Sequence, residues 1–503
     1  MNFRALFGTD IVRAITRSTS MSIIVLGMVL VPQIVLRSAS YFERHTAILI
    51  ALFSATISLA AAIFVAGVLH RQVPRKSSHQ LAQWHVGYWA GLLVSAARIL
   101  AYALTVILGV ELAVNSVDSL LNISWSWLLD PILILLIAVP LLAGRMRRVQ
   151  RWGVIFAVAA GLGLVVLVAY GLVQEASGAI DFENIRLAQE NTLNTDRAVD
   201  VTHTYAEAAV GGAMVGAIAT LISERVLNDS SHRRVSRRSL ARAMSVAIVV
   251  IALLLYFIVI LNMPGQRVAV PALTMSYSLF GYTGQVAYVV LFVLLGVSVA
   301  TAAYGQLPRL LRELALDGLL PRKLAAADAV GPRRAIVAII AVLAAVVTLI
   351  LDSARSIAGV FVFIVYVLVV FVNWSMVARS RTILNDSTEA QERQLARRLA
   401  WIGRVYGLFS LFIAGLVVYA QPLWGLSRPR GALRTSGIPG GLFARPVESA
   451  QPAPSWRCDV GAKIANPRAR RRHYRQGGYS YNSGGDVGAG HAAIVTDGCV
   501  RGH

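Results

Sequence analysis

An all-α polytopic membrane protein is the fold class this sequence predicts, from its composition, the length of its apolar runs and the placement of its cations. Hydrophobic residues fill 56% of the 503 positions and charged residues only 14%, against roughly 25% charge in a soluble domain. So few charges cannot cover a soluble surface of this size. Yet 47 Lys+Arg stand against 25 Asp+Glu, a formal net charge of +22. Together these exclude a disordered chain, a coiled coil and an ordinary soluble enzyme. Cys458 and Cys499 are the two cysteines, too few for a disulfide framework or a metal cluster.

A span needs about 20 mostly apolar residues to cross ~30 Å of hydrocarbon. Eleven stretches qualify, near 19–37, 47–69, 87–110, 124–144, 152–174, 206–223, 243–263, 284–304, 334–352, 355–378 and 403–420. The first is not a cleaved signal, because no small-residue cleavage site follows it and further spans do. The sixth is built from Ala and Gly rather than Leu and Ile. Spans nine and ten are joined only by Asp352-Ser353-Ala354-Arg355, which predicts a tight antiparallel hairpin.

With residues 1–18 inside, the inner segments hold about 28 cations and the outer ones about 6, a strong bias under the positive-inside rule. The expected site is therefore the cytoplasmic membrane, with the N-terminus in the cytoplasm and the lipid bilayer as solvent. The longest outer loop, 175–205, carries Glu175, Asp181, Glu183, Glu190, Asp196 and Asp200 and reads as a solvated surface. Because the basic blocks alternate with spans instead of sharing one aqueous face with aromatics, no nucleic acid is expected as a partner.

No catalytic pattern is present: neither HExxH, nor GxSxG, nor paired aspartates on facing spans. An enzyme is not expected. His45, His70, His79, His85 and His232 fall in loops and His203 at an outer helix boundary, where imidazole is usually just solvated, so no metal site is expected. A Gly-rich loop ending in Lys-Ser/Thr is missing, so neither ATP nor another cofactor is expected to drive the protein.

Weakened helices are more telling. Span one contains Gly27-Met28-Val29-Leu30-Val31-Pro32, and span six contains Gly211-Gly212-Ala213-Met214-Val215-Gly216. Gly and Pro free backbone groups that must find other partners. Each stretch lies in the first helix of a set of five, and an odd number inverts the second set relative to the first. Gly/Pro-interrupted spans at matching positions point to a midplane site in secondary transporters. The competing reading is that these residues only permit close helix packing.

Ionisable residues inside spans come next. Arg98 lies within span three, and a charge at that depth faces a cavity or a partner. Asp130, before Pro131 in span four, sits nearer the outer face, so a direct pair with Arg98 is not the expectation. Glu111 is read as the outer end of span three. Ser298 and Thr301 share a face of span eight, where hydroxyls coordinate Na⁺ or bond back to their own helix. Tyr366 and Asn373 share a face of span ten, with packing as the default.

After span eight the chain reads Arg309-Leu310-Leu311-Arg312-Glu313-Leu314-Ala315-Leu316-Asp317-Gly318-Leu319-Leu320-Pro321. This resembles the R-x-x-x-x-x-A-x-D-G-x-x-P signature of amino acid permeases, in the amino acid–polyamine–organocation (APC) superfamily. It also makes local sense as an amphipathic segment, a glycine turn and a proline stop. Glu224-Arg225-Val226-Leu227-Asn228 with Arg237-Arg238-Ser239-Leu240, Val73-Pro74 with Gly87-Tyr88-Trp89-Ala90-Gly91, and Met376-Val377-Ala378-Arg379 are similar to further family stretches, though the family's prolines after span six are missing.

The resemblance implies a LeuT-like 5+5 inverted repeat of about 11 transmembrane helices, with repeats at 19–174 and 206–378. A cytoplasmic loop at 379–402 and an accessory helix at 403–426 would follow. The implied function is secondary transport of amino acids or related amines, coupled to H⁺, Na⁺ or a counter-substrate. Gly27, Met28, Val29, Pro32, Gly211, Gly212, Met214 and Gly216 would hold the substrate, with Arg98 and Tyr366 as further candidates and Ser298 and Thr301 as ion ligands. Met-Val-Leu-Val replaces the family's small-residue triplet between Gly27 and Pro32, and residues 153–171 hold no lysine for proton coupling. A receptor or sensor without translocation, or a C-terminally truncated non-functional permease, is the alternative. Residues 427–503 form a basic low-complexity tail, with Arg470-Arg471-Arg472 and Gly484-Gly485. A shifted reading frame after about Gly425, removing a twelfth helix, would account for it; a disordered basic tail is the other reading.

Overall fold

Lipid offers the backbone no hydrogen bonds, so a spanning chain closes them within itself, and every regular element described here is helical. The computed structural model describes residues 20–36, 41–72, 78–121, 126–143, 146–178, 201–228, 237–260, 271–326, 328–350, 354–386 and 389–420. The N-terminus, most of the acidic outer loop, Asp352 and Ser353, and the basic tail with both cysteines lie outside them.

The helices are α1 (Ser20–Leu36), α2 (Tyr41–Gln72), α3 (Ser78–His85), α4 (Tyr88–Leu121), α5 (Ser126–Leu142), α6 (Met146–Ala176) and α7 (Val201–Asn228). They continue as α8 (Arg237–Ile260), α9 (Pro271–Tyr304), α10 (Leu307–Leu316), α11 (Val330–Ile350), α12 (Ala354–Asp386) and α13 (Ala390–Ala420). Among the described residues, eight helices are long and apolar enough to cross a membrane, and α1, α5 and α8 carry shorter apolar stretches. Of these eight, α7 is the most enclosed, with 83% of its apolar stretch buried, against 28% for α11. So the Ala/Gly-rich helix stands at the centre, where small side chains let neighbours approach.

Several boundaries differ from the sequence reading. Glu111 is not the end of span three: α4 continues to Leu121, and Glu111 is buried within it. Asn115, one turn on, donates to its Oε1 at 3.3 Å, an i,i+4 pairing that lets the helix run through the charge. The expected loop 379–402 is largely helical, because α12 extends to Asp386 and α13 begins at Ala390. Ala, Gln, Glu, Arg and Leu, all good helix formers, dominate that start, and Ala396 and Leu399 are buried.

Span eight gains a preceding segment. Residues 271–304 form one helical element broken at Gly281, which has φ 68 and ψ −163. That backbone region is open essentially to glycine alone. Nothing stands within 4 Å of where its Cβ would lie, so the cost of replacing it is conformational only. Gly281→Ala is expected to lower stability by about 1–3 kcal/mol, read as a fall in thermal midpoint in detergent.

The most extensive packing pairs recur under an exchange. Let spans one to ten be α1, α2, α4, α5, α6, α7, α8, α9, α11 and α12. α2 packs on α7, and five spans on, α8 packs on α1. α6 packs on α9, and α12 on α4; α1 on α6, and α7 on α12; α4 on α11, and α5 on α9. The pairs α1–α7, α4–α9 and α5–α11 map onto themselves, and all three occur. The correspondence is incomplete: α1 packs on α9, α4 on α5 and α6 on α8, while the exchanged pairs α7–α4, α9–α11 and α12–α2 make at most marginal contacts, and several weaker pairs fail in the same way.

Candidate functional site

At the centre, α1 and α7 run antiparallel in contact. Gly27 faces the Ile218 side chain, and Gly211 faces Ile34 and Val35. On α7's other side, Gly212 meets the main chain of α2 at Ala51 and Ala55, and Gly216 meets Ser58 of α2 and the Tyr366 hydroxyl of α12. Tyr366 Oη donates to the Ala213 carbonyl at 3.2 Å, and Ser54 Oγ of α2 donates to the Ala209 carbonyl at 2.7 Å. Met28, Val29, Pro32 and Met214 are all buried. Thus the structure gathers Gly27, Gly211, Gly212, Gly216 and Tyr366 around one stretch of α7.

The interruption expected in these two helices is not present. α1 is helical through Gly27–Pro32, and α7 through Gly211–Gly216. Proline removes a single N–H from the ladder, and the glycines are filled from outside by Ile218, Ile34, Val35 and the α2 main chain. Their visible role in this conformation is close packing.

Ser298 and Thr301 are both buried in α9. Ser298 Oγ donates to the Leu294 carbonyl at 2.6 Å, and Thr301 Oγ1 to the Ser298 carbonyl at 3.0 Å. Each hydroxyl proton is spent on its own helix, leaving oxygen lone pairs as the groups a cation would use. Ser298 stands against Gly153 of α6, at ordinary van der Waals distance from a Cβ built there.

Arg98 belongs to a different assembly. His79, expected in a solvated loop, is on α3 and wholly buried. Arg98 Nη1 donates to His79 Nδ1 at 2.9 Å. His79 Nε2 donates to Asp317 Oδ2 at 2.5 Å, and Gln80 Nε2 donates to Asp317 Oδ1 at 2.6 Å. Since a guanidinium can only donate, Nδ1 must be the unprotonated ring nitrogen and Nε2 must carry the hydrogen. The loop reading failed because α3 is only eight residues long and its Leu81 and Ala82 face the core.

Asp317 is held there by the segment that the permease-like signature covers. α10 buries Leu307, Leu310, Leu311, Leu314 and Ala315, and Asp317 caps its end. Gly318, at φ 77, reverses the chain so that the Leu319 N–H reaches the Leu314 carbonyl at 2.9 Å, the hydrogen bond that closes a glycine-terminated helix. Burial pushes the Asp317 carboxyl up, but the hydrogen bonds from His79 and Gln80 and the nearby positive charge hold it below the ordinary aspartate range.

Sequence reasoning also passed over Glu207 of α7, one turn before Gly211 and almost wholly buried. An acid within an Ala/Gly span was the available signal. Asn373 is buried with neither amide atom hydrogen-bonded among the described residues, and it lies beside Gly403 and Gly407 of α13. Tyr366 and Asn373 therefore serve different neighbours despite sharing a face.

No protein-family model and no curated protein matches the sequence. Among solved structures, the chain is similar to a Na⁺-coupled sialic acid symporter in its substrate-bound outward-open state, at 11% identity and a TM-score of 0.45, covering 80% of this chain and 89% of that one. It is also similar to the manganese transporter of Eremococcus coleocola, in a mutant form at 14% identity and in complex with an aromatic bis-isothiourea compound at 15%. Both of those comparisons have a TM-score of 0.40 and cover 83% of this chain and 94% of that one. At such distances the likeness carries neither substrate nor coupling ion over to this chain.

Proposed function

We propose that this protein is a secondary transporter with a LeuT-like 5+5 inverted repeat, moving amino acids or related amines across the cytoplasmic membrane by alternating access. The observation that supports the reading is the packing pattern: the most extensive helix pairs recur when each member is exchanged for the helix five spans on. A bundle with that internal exchange has two related ways of closing, one toward each side of the membrane, and substrate sites in such folds lie at the interface of the repeats. Here that interface is α1 against α7.

The substrate would be held by Gly27, Met28, Val29 and Pro32 of α1 and by Gly211, Gly212, Met214 and Gly216 of α7, with Tyr366 beside Gly216. Local opening of the two helices would free backbone groups to bind it, and Gly and Pro lower the cost of that opening. Ser298 and Thr301 are the candidate ligands if the coupling ion is Na⁺; H⁺ and a counter-substrate are the other couplings. Positive-inside charge supports a cytoplasmic N-terminus.

Uptake into proteoliposomes tests the reading. Labelled amino acids and amines would be offered under a Na⁺ gradient, a H⁺ gradient and counter-substrate preloading. Accumulation under at least one condition is expected. Ser298→Ala with Thr301→Ala should abolish uptake only if Na⁺ is the coupling ion. No accumulation under any gradient overturns the proposal, and saturable binding without counterflow would make the protein a receptor.

A further inference from the structure

We propose that the segment between spans eight and nine, from α10 to the start of α11, is a binding surface for anionic phospholipid headgroups, formed by Arg309, Arg312, Arg322 and Lys323. Such a surface asks only that the chain spans a bilayer, whatever the chain transports.

Residues 307–334 carry six cations against three acids. α10 buries Leu307, Leu310, Leu311 and Leu314. Arg309, Arg312 and Leu316, spaced by three and four residues, therefore share the opposite face, and all three are exposed. After the Gly318 turn, a short 3₁₀ turn (Arg322–Ala325) buries Leu324 and packs back on α10, with Arg322 and Lys323 exposed. Arg333 of α11 fixes the return: its Nε and Nη2 donate to the carbonyls of Ala329 and Ala326 at 2.9 and 3.2 Å. The acids do not neutralise this surface. Asp317 is taken up by His79 and Gln80, and the four exposed cations outnumber the two exposed acids, Glu313 and Asp328. Among the described residues, none of Arg309, Arg312, Arg322 and Lys323 is ion-paired.

Two features set this surface at headgroup depth. Trp84, Tyr88 and Trp89 are exposed at the α3–α4 corner, as aromatic residues are at a membrane interface, and His79 and Gln80 of α3 tie that corner to Asp317. α11, which leads away from the segment, is the least enclosed of the eight long helices. Ile339, Val342, Leu343 and Val346 are exposed along it, so lipid chains that cover them bring their headgroups to the basic turn. A group of four cations directly beside a span favours anionic over zwitterionic headgroups, and the guanidinium fork matches phosphate oxygens. Leu316, on the face of the two arginines, offers apolar contact to the upper end of the acyl chains. The same cations bias orientation during insertion; headgroup binding is a second use of them in the finished bundle.

Native mass spectrometry of the full-length protein in detergent tests this, with phosphatidylglycerol and phosphatidylcholine of identical acyl chains as the probes. Phosphatidylglycerol is expected to bind more tightly. Arg309→Gln, Arg312→Gln, Arg322→Gln and Lys323→Gln together should weaken it by about fivefold or more and leave phosphatidylcholine unchanged. The charge-keeping set Arg309→Lys, Arg312→Lys and Arg322→Lys should retain the preference. A matched control removes four exposed cations between spans ten and eleven, by Arg381→Gln, Arg393→Gln, Arg397→Gln and Arg398→Gln, and should leave the preference intact. Equal binding of the two lipids, phosphatidylglycerol binding that the first set leaves unmoved, or an equal loss in the control overturns the proposal. So does displacement of the lipid by an equal concentration of inorganic phosphate, which would make the surface a site for the free anion. A chain that moves no substrate would fail the transport reading and leave this binding standing.

Discussion

Gly212→Ala will sharply destabilise the protein, although it adds one methyl group to a helix. A Cβ built on Gly212 falls on the carbonyl oxygen of Ala51, with the main-chain nitrogen of Ala55 also in tight contact. These obstacles are main chain, so no rotamer change relieves the clash. α2 and α7 must move apart, and Ser54 must lengthen its bond to the Ala209 carbonyl. Overpacking of this kind costs about 1–3 kcal/mol, occasionally more, and α7 is the most enclosed of the eight long helices. Thermal unfolding in detergent, followed by monodisperse peak height in size-exclusion chromatography, would show the loss. Gly415→Ala is the control: it has the same chemistry on α13 with nothing within 4 Å. It should leave the midpoint unchanged or raised, since alanine is the better helix former. Equal midpoints for the two variants would refute the close α2–α7 approach.

The second crossing, α4 with α9, is reciprocal, which makes a sharper test. A Cβ on Gly296 falls on the Gly109 carbonyl oxygen, and a Cβ on Gly109 meets the Gly296 carbonyl oxygen at 2.7 Å. Each single alanine is expected to cost about 1–3 kcal/mol by forcing the helices apart. Once one methyl has separated them, the other enters space already made. Gly109→Ala with Gly296→Ala should therefore cost clearly less than the sum of the singles, because residues in contact are not additive. Strict additivity in the four-membered cycle would mean that the two glycines do not face each other.

The features that the sequence disclosed are those whose causes are local. Long apolar runs gave the helices, and the α10 segment with Gly318 and Pro321 gave the turn after it, because amphipathicity and a glycine cap act within a few residues. Gly281 was missed: an isolated glycine before an apolar run does not announce a break. The glycines of α1 and α7 were visible, but their use was not, since whether glycine admits a ligand or a neighbouring helix depends on what stands opposite. Ile218 and Ala51 stand there. The Arg98–His79–Asp317 chain was out of reach for the same reason. Arg98 was flagged by its depth, whereas its partners lie 19 residues before it and far downstream on a different element.

The exchange of helix pairs bears on how the chain folds. α1 finds α7, α8 and α9 as its principal neighbours, and α2 packs chiefly on α7. Residues 20–72 therefore bury their apolar faces on helices synthesised later. The first five spans on their own therefore leave faces of α1 and α2 uncovered, and α7 joins them while also packing on α12 and α13. Completion of this bundle is thus expected to follow insertion, once the sixth span has taken its place against the first two. A lesion on either side of that junction should expose helices from both halves to quality-control proteases, instead of leaving one half intact.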